Sequence, residues 1–185
     1  MTESTRRRLT DRQADTVRRL TDAAVEELRE SGYDGLTVRN VARRAGVAAA
    51  TAYTYFASKN HLITEVFWRR LMALPPVPAT DDPPADRVVA VLREVTLLIS
   101  DEPALAAACT TAMLGSDPDV QELRSRIGGA IRHRLLDALG EDPEPRVLAG
   151  LEMIYTGAMV HAGMGHRSYT AIAGQLSEVA RLIVR

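Results

Sequence analysis

The sequence predicts an all-α fold of about nine helices, with an N-terminal three-helix helix-turn-helix head and a C-terminal helical-bundle body. Three observations carry this. Apolar residues recur at helical spacings of three and four, and nowhere alternate as a half-buried strand requires. Two short apolar-striped segments between Leu36 and Phe56 flank a glycine corner. The stretch Leu74-Pro-Pro-Val-Pro-Ala-Thr-Asp-Asp-Pro-Pro84 is too rich in proline to continue a helix. It divides the chain into a flexible basic arm (1–9), a head (10–73), a stiff connector (74–84) and a body (85–185).

Taken in order, Thr10-Asp11-Arg12-Gln13 fits a capping box, and the helix it opens turns Val17, Leu20, Ala24 and Leu28 inward until Ser31-Gly32 stops it. Its task is support, because the next two helices are too short to hold together alone. Thr37 stands ahead of Val38, Val41, Ala42 and Ala45 as an N-cap. Gly46 follows where a left-handed C-cap costs least, and Val47 turns back inward. A second short helix covers Ala49 to Phe56, and Ser58 caps a fourth whose stripe is Leu62, Ile63, Val66 and Phe67.

Beyond the connector, Asp86 to Ser100 carries Val88, Val91, Leu92, Val95 and Leu98 at helical spacing. Asp101 then caps, and Pro103 opens, a helix that runs to Gly115. Ser116-Asp117-Pro118 begins a long helix with Val120, Leu123, Ile127 and Ile131 inward, weakened at Gly128-Gly129 and ended by Gly140. Asp142-Pro143 begins the penultimate helix. The last runs from Tyr169 to Arg185, with Ile172, Leu176, Val179 and Ile183 spaced by four, three and four.

Composition narrows the function classes. With 46% apolar and 25% charged residues over 185 positions, this is a soluble globular chain with enough apolar residues for a full core. Arg6-Arg7-Arg8 precedes polar residues rather than an apolar run, so no secretory signal is expected. The longest apolar stretch, 147–164, contains Glu152 and His161, which argues against a membrane span. A single Cys109 excludes an intrachain disulfide and fits a reduced, cytoplasmic home. The net charge of -1 hides an asymmetry: residues 1–70 hold 13 Lys or Arg against 9 Asp or Glu, and the remainder 10 against 15. A basic head attracts a polyanion such as DNA, while an acidic body is repelled by it.

Two short helices around a glycine corner deliver the second helix into a DNA major groove. Here the corner is Ala45-Gly46-Val47, followed by Thr51-Ala52-Tyr53-Thr54-Tyr55-Phe56 and Ser58-Lys59. The pattern extends back through Gly32-Tyr33-Asp34-Gly35-Leu36-Thr37 and forward to Leu62 and Val66. This stretch resembles the DNA-binding head of the TetR family of bacterial transcription regulators. The resemblance implies a homodimer through the last two helices, a palindromic double-stranded operator, repression of transcription, and a small-molecule effector held in the body. The sequence departs from the family pattern at Ala48, where a capping side chain is usual, and at Ala52, where leucine is usual. Ala49 and Ala50 offer no hydrogen bonds, so much of the specificity is left to methyl contacts and DNA shape.

Few side chains are then available to DNA. Arg39 matches a position where some family members read guanine, its other reading being a phosphate contact. Thr51 and Tyr55 suit phosphate oxygens, and Tyr53 offers a ring for a thymine methyl and a hydroxyl for phosphate. Thr54 is placed to face the groove, and Lys59, the only lysine, suits a phosphate. Tyr55 is open to a core reading instead, and Phe56 is read as core. Arg6, Arg7 and Arg8 are either an arm along the phosphates or an unimportant tail.

No catalytic constellation emerges. His161 and His166 are five apart, off the spacing that places two metal ligands on one helix face, and no Glu-x-x-His pair occurs. Neither a metal nor a cofactor is expected. Cys109 lies in an apolar run, where an inert thiol is the default. In the body, Leu98, Cys109, Thr110, Met113, Met153, Tyr155 and Met159 are candidate pocket residues, with plain core as their other reading. Lacking inward-facing charge, such a pocket favours an apolar effector. Gly150, Ile154 and Gly157, with Ile172, Leu176, Val179 and Ile183, are the candidate dimer interface. The competing reading is a helical small-molecule-binding or enzymatic protein whose helix-turn-helix is only scaffold.

Overall fold

Nine α-helices and no strand make up residues 11–184, the part of the chain described by the computed structural model. They are α1 (Asp11–Gly35), α2 (Val38–Arg44), α3 (Ala49–Tyr55), α4 (Lys59–Ala73), α5 (Pro84–Leu97), α6 (Pro103–Leu114), α7 (Pro118–Leu139), α8 (Pro145–Gly163) and α9 (Tyr169–Ile183). Arg6, Arg7, Arg8 and the Thr10 cap lie outside the described residues.

Local capping chemistry sets most boundaries. Thr37 accepts from Asn40 N at 3.1 Å, and Ser58 accepts from His61 N at 3.0 Å. Ala48 precedes α3 with no side-chain cap. Gly32 interrupts α1 with φ 67° and ψ 178°, a left-handed conformation that glycine enters freely, and a further turn follows to Gly35.

Four helices, α5 to α8, begin with proline in the first turn, where its missing N–H is no loss. This moves two expected starts. Helix α5 opens at Pro84 rather than Asp86, and α8 at Pro145 rather than at Asp142-Pro143, with Asp142 itself in a left-handed turn at φ 50°. Asp101 is not the cap of α6. That position falls to Glu102, whose carboxylate instead receives Arg29 Nη2 at 2.8 Å and Arg70 Nη2 at 2.5 Å, joining α1, α4 and α6.

The apolar core runs unbroken from Val17 to Val184, with Leu20, Leu28, Leu36, Leu62, Ile63, Leu92, Leu105, Leu135 and Leu151 fully buried. Helix α4 is its hinge pin, packing on α1, α6 and α7, while α5 lies between α7 and α9, and α8 packs on α9 and α6. The proline-rich segment after α4 is held down: Arg134 Nη1 donates to Pro75 O at 2.8 Å, and Arg134 also pairs with Glu94.

Candidate functional site

Helices α2 and α3 form the helix-turn-helix. Gly46 adopts φ 63°, and Val47 N returns to Ala42 O at 2.9 Å, closing the corner around a left-handed glycine. Arg19 reaches from α1 to donate to Ala45 O and, at 3.3 Å, to Gly46 O. Arg44 Nε donates to Glu27 Oε2 at 2.9 Å and Nη1 to Glu30 Oε1 at 2.9 Å. The Arg44 bond holds the Glu30 carboxyl below its usual range, and the two glutamates hold the guanidinium all the more firmly protonated. Because this bidentate clamp pins α2 to α1, Arg44 is committed to structure rather than to DNA.

On α3, Ala52 faces the core and Phe56 closes behind it, as expected for Phe56. Thr51, Tyr53 and Thr54 are exposed, Tyr53 by half of its surface, and Tyr55 is half-buried against the core. The Thr54 hydroxyl donates to Thr51 O at 2.6 Å and keeps its lone pairs free to accept. Arg39 and Arg43 are exposed on α2 without an acidic partner among the described residues. Lys59 is half-buried: its Nζ donates to Tyr33 O at 2.8 Å and sits 4.1 Å from the centre of the Tyr33 ring. The sequence reading of Lys59 as a free phosphate contact missed this task within the fold, which fastens the end of α1 to the start of α4.

A cavity of about 370 Å³ lies among α4, α5, α6, α7, α8 and the start of α9. Five expected residues line it: Cys109, Thr110, Met113, Tyr155 and Met159. Leu98 and Met153 do not. Leu98 keeps a helical backbone (φ -53°, ψ -28°) and packs half-buried against the core, while Ile99, four residues on from Val95, lines the wall instead. Met153 is 73% exposed on the outer side of α8. Sequence reasoning missed Phe67, Val95, Ile127 and Ile131, which it read as stripes packing onto other helices.

The expectation of a wall without charge is overturned, because Arg124, Arg132 and Glu152 also line the cavity. Deeper in, burial pushes the Cys109 thiol up to about 12 and raises the Tyr155 hydroxyl as well. Burial likewise raises Tyr169, partly offset by its hydrogen bond with Thr110. The interior is therefore neutral at physiological pH, with a protonated thiol that is no nucleophile. Among the described residues no three His, Cys, Asp or Glu gather as a metal site.

Comparison with known proteins places this architecture. A sequence profile for bacterial regulatory proteins of the tetR family matches residues 20–66. An HTH-type transcriptional regulator of Mycobacterium tuberculosis is 46% identical over 175 residues, which take in 94% of this chain and 82% of that protein. The chain belongs to the TetR family. It is a DNA-binding transcriptional regulator, of a family whose members act on transcription rather than as enzymes. A TetR transcriptional regulator from Rhodococcus sp. RHA1 superposes with a TM-score of 0.78 at 26% identity, over 94% of this chain and 97% of that one. Thermus thermophilus FadR, a TetR-family repressor solved with lauroyl-CoA, shares the fold at a TM-score of 0.64 and 20% identity, over 90% of this chain and 92% of its own.

TetR regulators dimerise, and the faces of α8 and α9 bear on that. Ile154, Gly157, Ile172, Leu176 and Val179 line a shallow groove of about 270 Å³ together with His161 and Gln175. Val179 is 40% exposed and Leu182 73%. A Cβ on Gly157 would meet nothing within 4 Å, whereas one on Gly150 would meet Ile183 of the same chain at 3.9 Å. The close helix approach expected at Gly150 is thus made by the chain's own α9. Ile172 and Leu176 are likewise nearly covered from within, leaving Gly157, Val179 and half-buried Ile154 and Ile183 as the open part of the expected face. No described helix is long and apolar enough to cross a membrane.

Proposed function

We propose that this TetR-family regulator is a cytoplasmic repressor that grips a palindromic operator as a homodimer and lets go when a largely apolar small molecule fills the cavity. The observation that carries this reading is the cavity itself. Its wall includes Phe67 of α4, and α4 begins three residues beyond α3. An occupant that repositions α4 therefore repositions the recognition helix. The ligand need only prefer the displaced arrangement by ~1–3 kcal/mol to shift DNA affinity by one to two orders of magnitude. That Thermus thermophilus FadR was solved with lauroyl-CoA supports an effector with a long apolar part.

On the DNA side, Arg39 and Tyr53 are assigned to base edges, Thr51, Tyr55 and Arg43 to phosphates, and Thr54, with lone pairs left to accept, to the groove. Lys59 holds Tyr33 with one N–H and has two left for a phosphate. The partner copy is assigned to the open face of α8 and α9, around Gly157, Val179 and Leu182. Residues 10–73 act as the reading head and 85–185 as the body.

The test is binding of the full-length protein to the intergenic DNA upstream of its own gene, across a salt series and against a scrambled duplex. Specific, steeply salt-dependent binding by two protomers per site is the expected result. Equal and weak binding to both duplexes, with a genome-wide selection of bound fragments returning no common palindrome, would overturn the reading.

A further inference from the structure

One exposed stretch of the cavity wall carries no side chain. Gly128 and Gly129 line it while lying exposed on α7, and a Cβ built on either would meet nothing within 4 Å. Two consecutive glycines inside a 22-residue helix are costly, since only proline is a poorer helix former. Close packing is the usual reason to tolerate them, and no atom comes near. What the glycines do provide is a gap in the side-chain wall between Ile127 and Ile131, both of which point inward.

The rim of that gap is charged. Arg124, Gly128 and Arg132 are spaced by four and so share one stripe of α7, which puts an arginine one turn to either side of Gly128. Arg132 Nη1 reaches across to α8 and donates to Glu152 Oε1 at 2.9 Å and Oε2 at 2.8 Å. Arg124 has no acidic partner among the described residues and gives Nη2 to Gly115 O at 2.7 Å. The three charged groups sum to one net positive charge on this part of the wall. Behind them the wall is apolar: Phe67, Val95, Ile99, Met113 and Met159.

We propose that Gly128-Gly129 is the portal of the cavity and that its occupant is an anionic amphiphile. Its chain lies among the apolar side chains, and its acidic head is held outside by Arg124 and by Arg132, which trades Glu152 for the ligand's oxygens. The ion pair between Arg132 and Glu152 thereby latches the portal until an anion competes for the arginine. A fully neutral apolar compound would fill the same volume and leave Arg124 unpaired. This inference rests on the cavity being the effector site. The head can be a free carboxylate or a phosphate-bearing carrier joined to the chain as a thioester, since both present anionic oxygens to the two guanidinium groups.

The experiment compares three probes with one chain length on the full-length protein: dodecanoate and lauroyl-CoA below their micellar concentrations, and dodecanol below its solubility limit. Affinity is read by calorimetry and by the fluorescence of Trp68, the single tryptophan. At least one anionic probe should bind roughly tenfold or more tighter than dodecanol, and Arg124→Ala with Arg132→Ala should abolish that preference while leaving dodecanol binding as it was. Which anion binds tells free acid from thioester. Gly128→Phe, on an open helix surface, should slow association of the anionic probe several-fold without unfolding the protein. Equal binding of dodecanol and both anions, unaffected by the arginine substitutions, would overturn the anionic head and leave the apolar effector site standing. Binding of none of the three would overturn both.

Discussion

One hydroxyl at the start of α4 caps its own helix and holds the cap of another. Ser58 Oγ accepts from His61 N at 3.0 Å and donates to Asp117 Oδ2 at 2.5 Å, while Asp117 Oδ1 accepts from Asp119 N at 3.0 Å at the start of α7. Replacing Asp117 by alanine removes the α7 cap, ~1 kcal/mol, and a charge-assisted hydrogen bond at the lower end of ~1.5–3 kcal/mol because the site is half-exposed. The expected loss is about 2.5 kcal/mol, or roughly 5–10 °C in Tm for a chain of this size. Asp117→Asn can keep the cap through its single oxygen but turns its NH2 toward Ser58 Oγ, so it loses the charge and the Ser58 donation and should cost about 1.5 kcal/mol. The assay is urea denaturation of Ser58→Ala, Asp117→Ala and the double variant, with an expected coupling of ~1.5 kcal/mol. The pH dependence provides a second arm. The Ser58 bond first, and then the backbone N–H groups of Asp119 and Val120, hold the Asp117 carboxyl below its ordinary range. Its contribution is therefore complete above the ordinary aspartate value and fades as pH falls through the lowered native one. The gap between wild type and Asp117→Asn should close on acidification. Additive single losses, or a gap that widens in acid, would refute the shared cap.

Three further outcomes follow from the geometry. Arg39→Ala should lose ~1–3 kcal/mol of operator affinity and relax the preference at one base pair, read by binding to a panel of single-substituted operators; a loss equal on all of them would make Arg39 a phosphate residue. Gly163→Ala should destabilise by ~1–3 kcal/mol in urea titration, because its Cβ would overlap Thr110 Oγ1 and Cγ2 and lie 2.6 Å from Thr110 Cβ, forcing α6 from α8. Adding Thr110→Ala leaves the Cβ contact in place and should restore only part of the loss. Cys109, with its thiol raised to about 12, should resist iodoacetamide at pH 8 in the native protein and react promptly in urea, and fast native labelling would contradict its burial.

What could be read from the sequence is what the chain decides within a few residues. Thr37, Gly46 and Ser58 act through backbone groups three or four positions away, and each appears in the structure as the sequence expects. Pro84 and Pro145 show the limit of that reasoning, since proline's tolerance of the first helical turn outweighed nearby aspartates that also looked like starts. The clamp of Arg44 on Glu27 and Glu30, and the meeting of Arg29, Arg70 and Glu102, join residues 14 to 73 positions apart and become visible only when helices are placed. The cavity is less legible still, being the space that packing leaves over. Five of its residues are legible as a mostly apolar inward face carrying a few polar groups, the make-up of a small-molecule pocket and equally of a plain core. Leu98 and Met153 fall elsewhere because which side of α5 and of α8 faces the cavity is settled by the packing of whole helices. Gly128-Gly129 was visible as a weakness in α7, although nothing local says what that weakness is for.

Arg44 on its glutamates and Arg19 on the carbonyls of the corner tie α1, α2 and the turn to one another. A head so tied has one main adjustable quantity, namely where it stands. In the proposed dimer, two such heads would be the jaws of a calliper set to one turn of the double helix, ~34 Å. A calliper opened slightly no longer fits, though neither jaw has changed shape. Reading and response are then separable in descent: substitutions on α3 can carry the protein to a new operator while it still answers to the same molecule, and substitutions around the cavity can change the molecule without disturbing the operator.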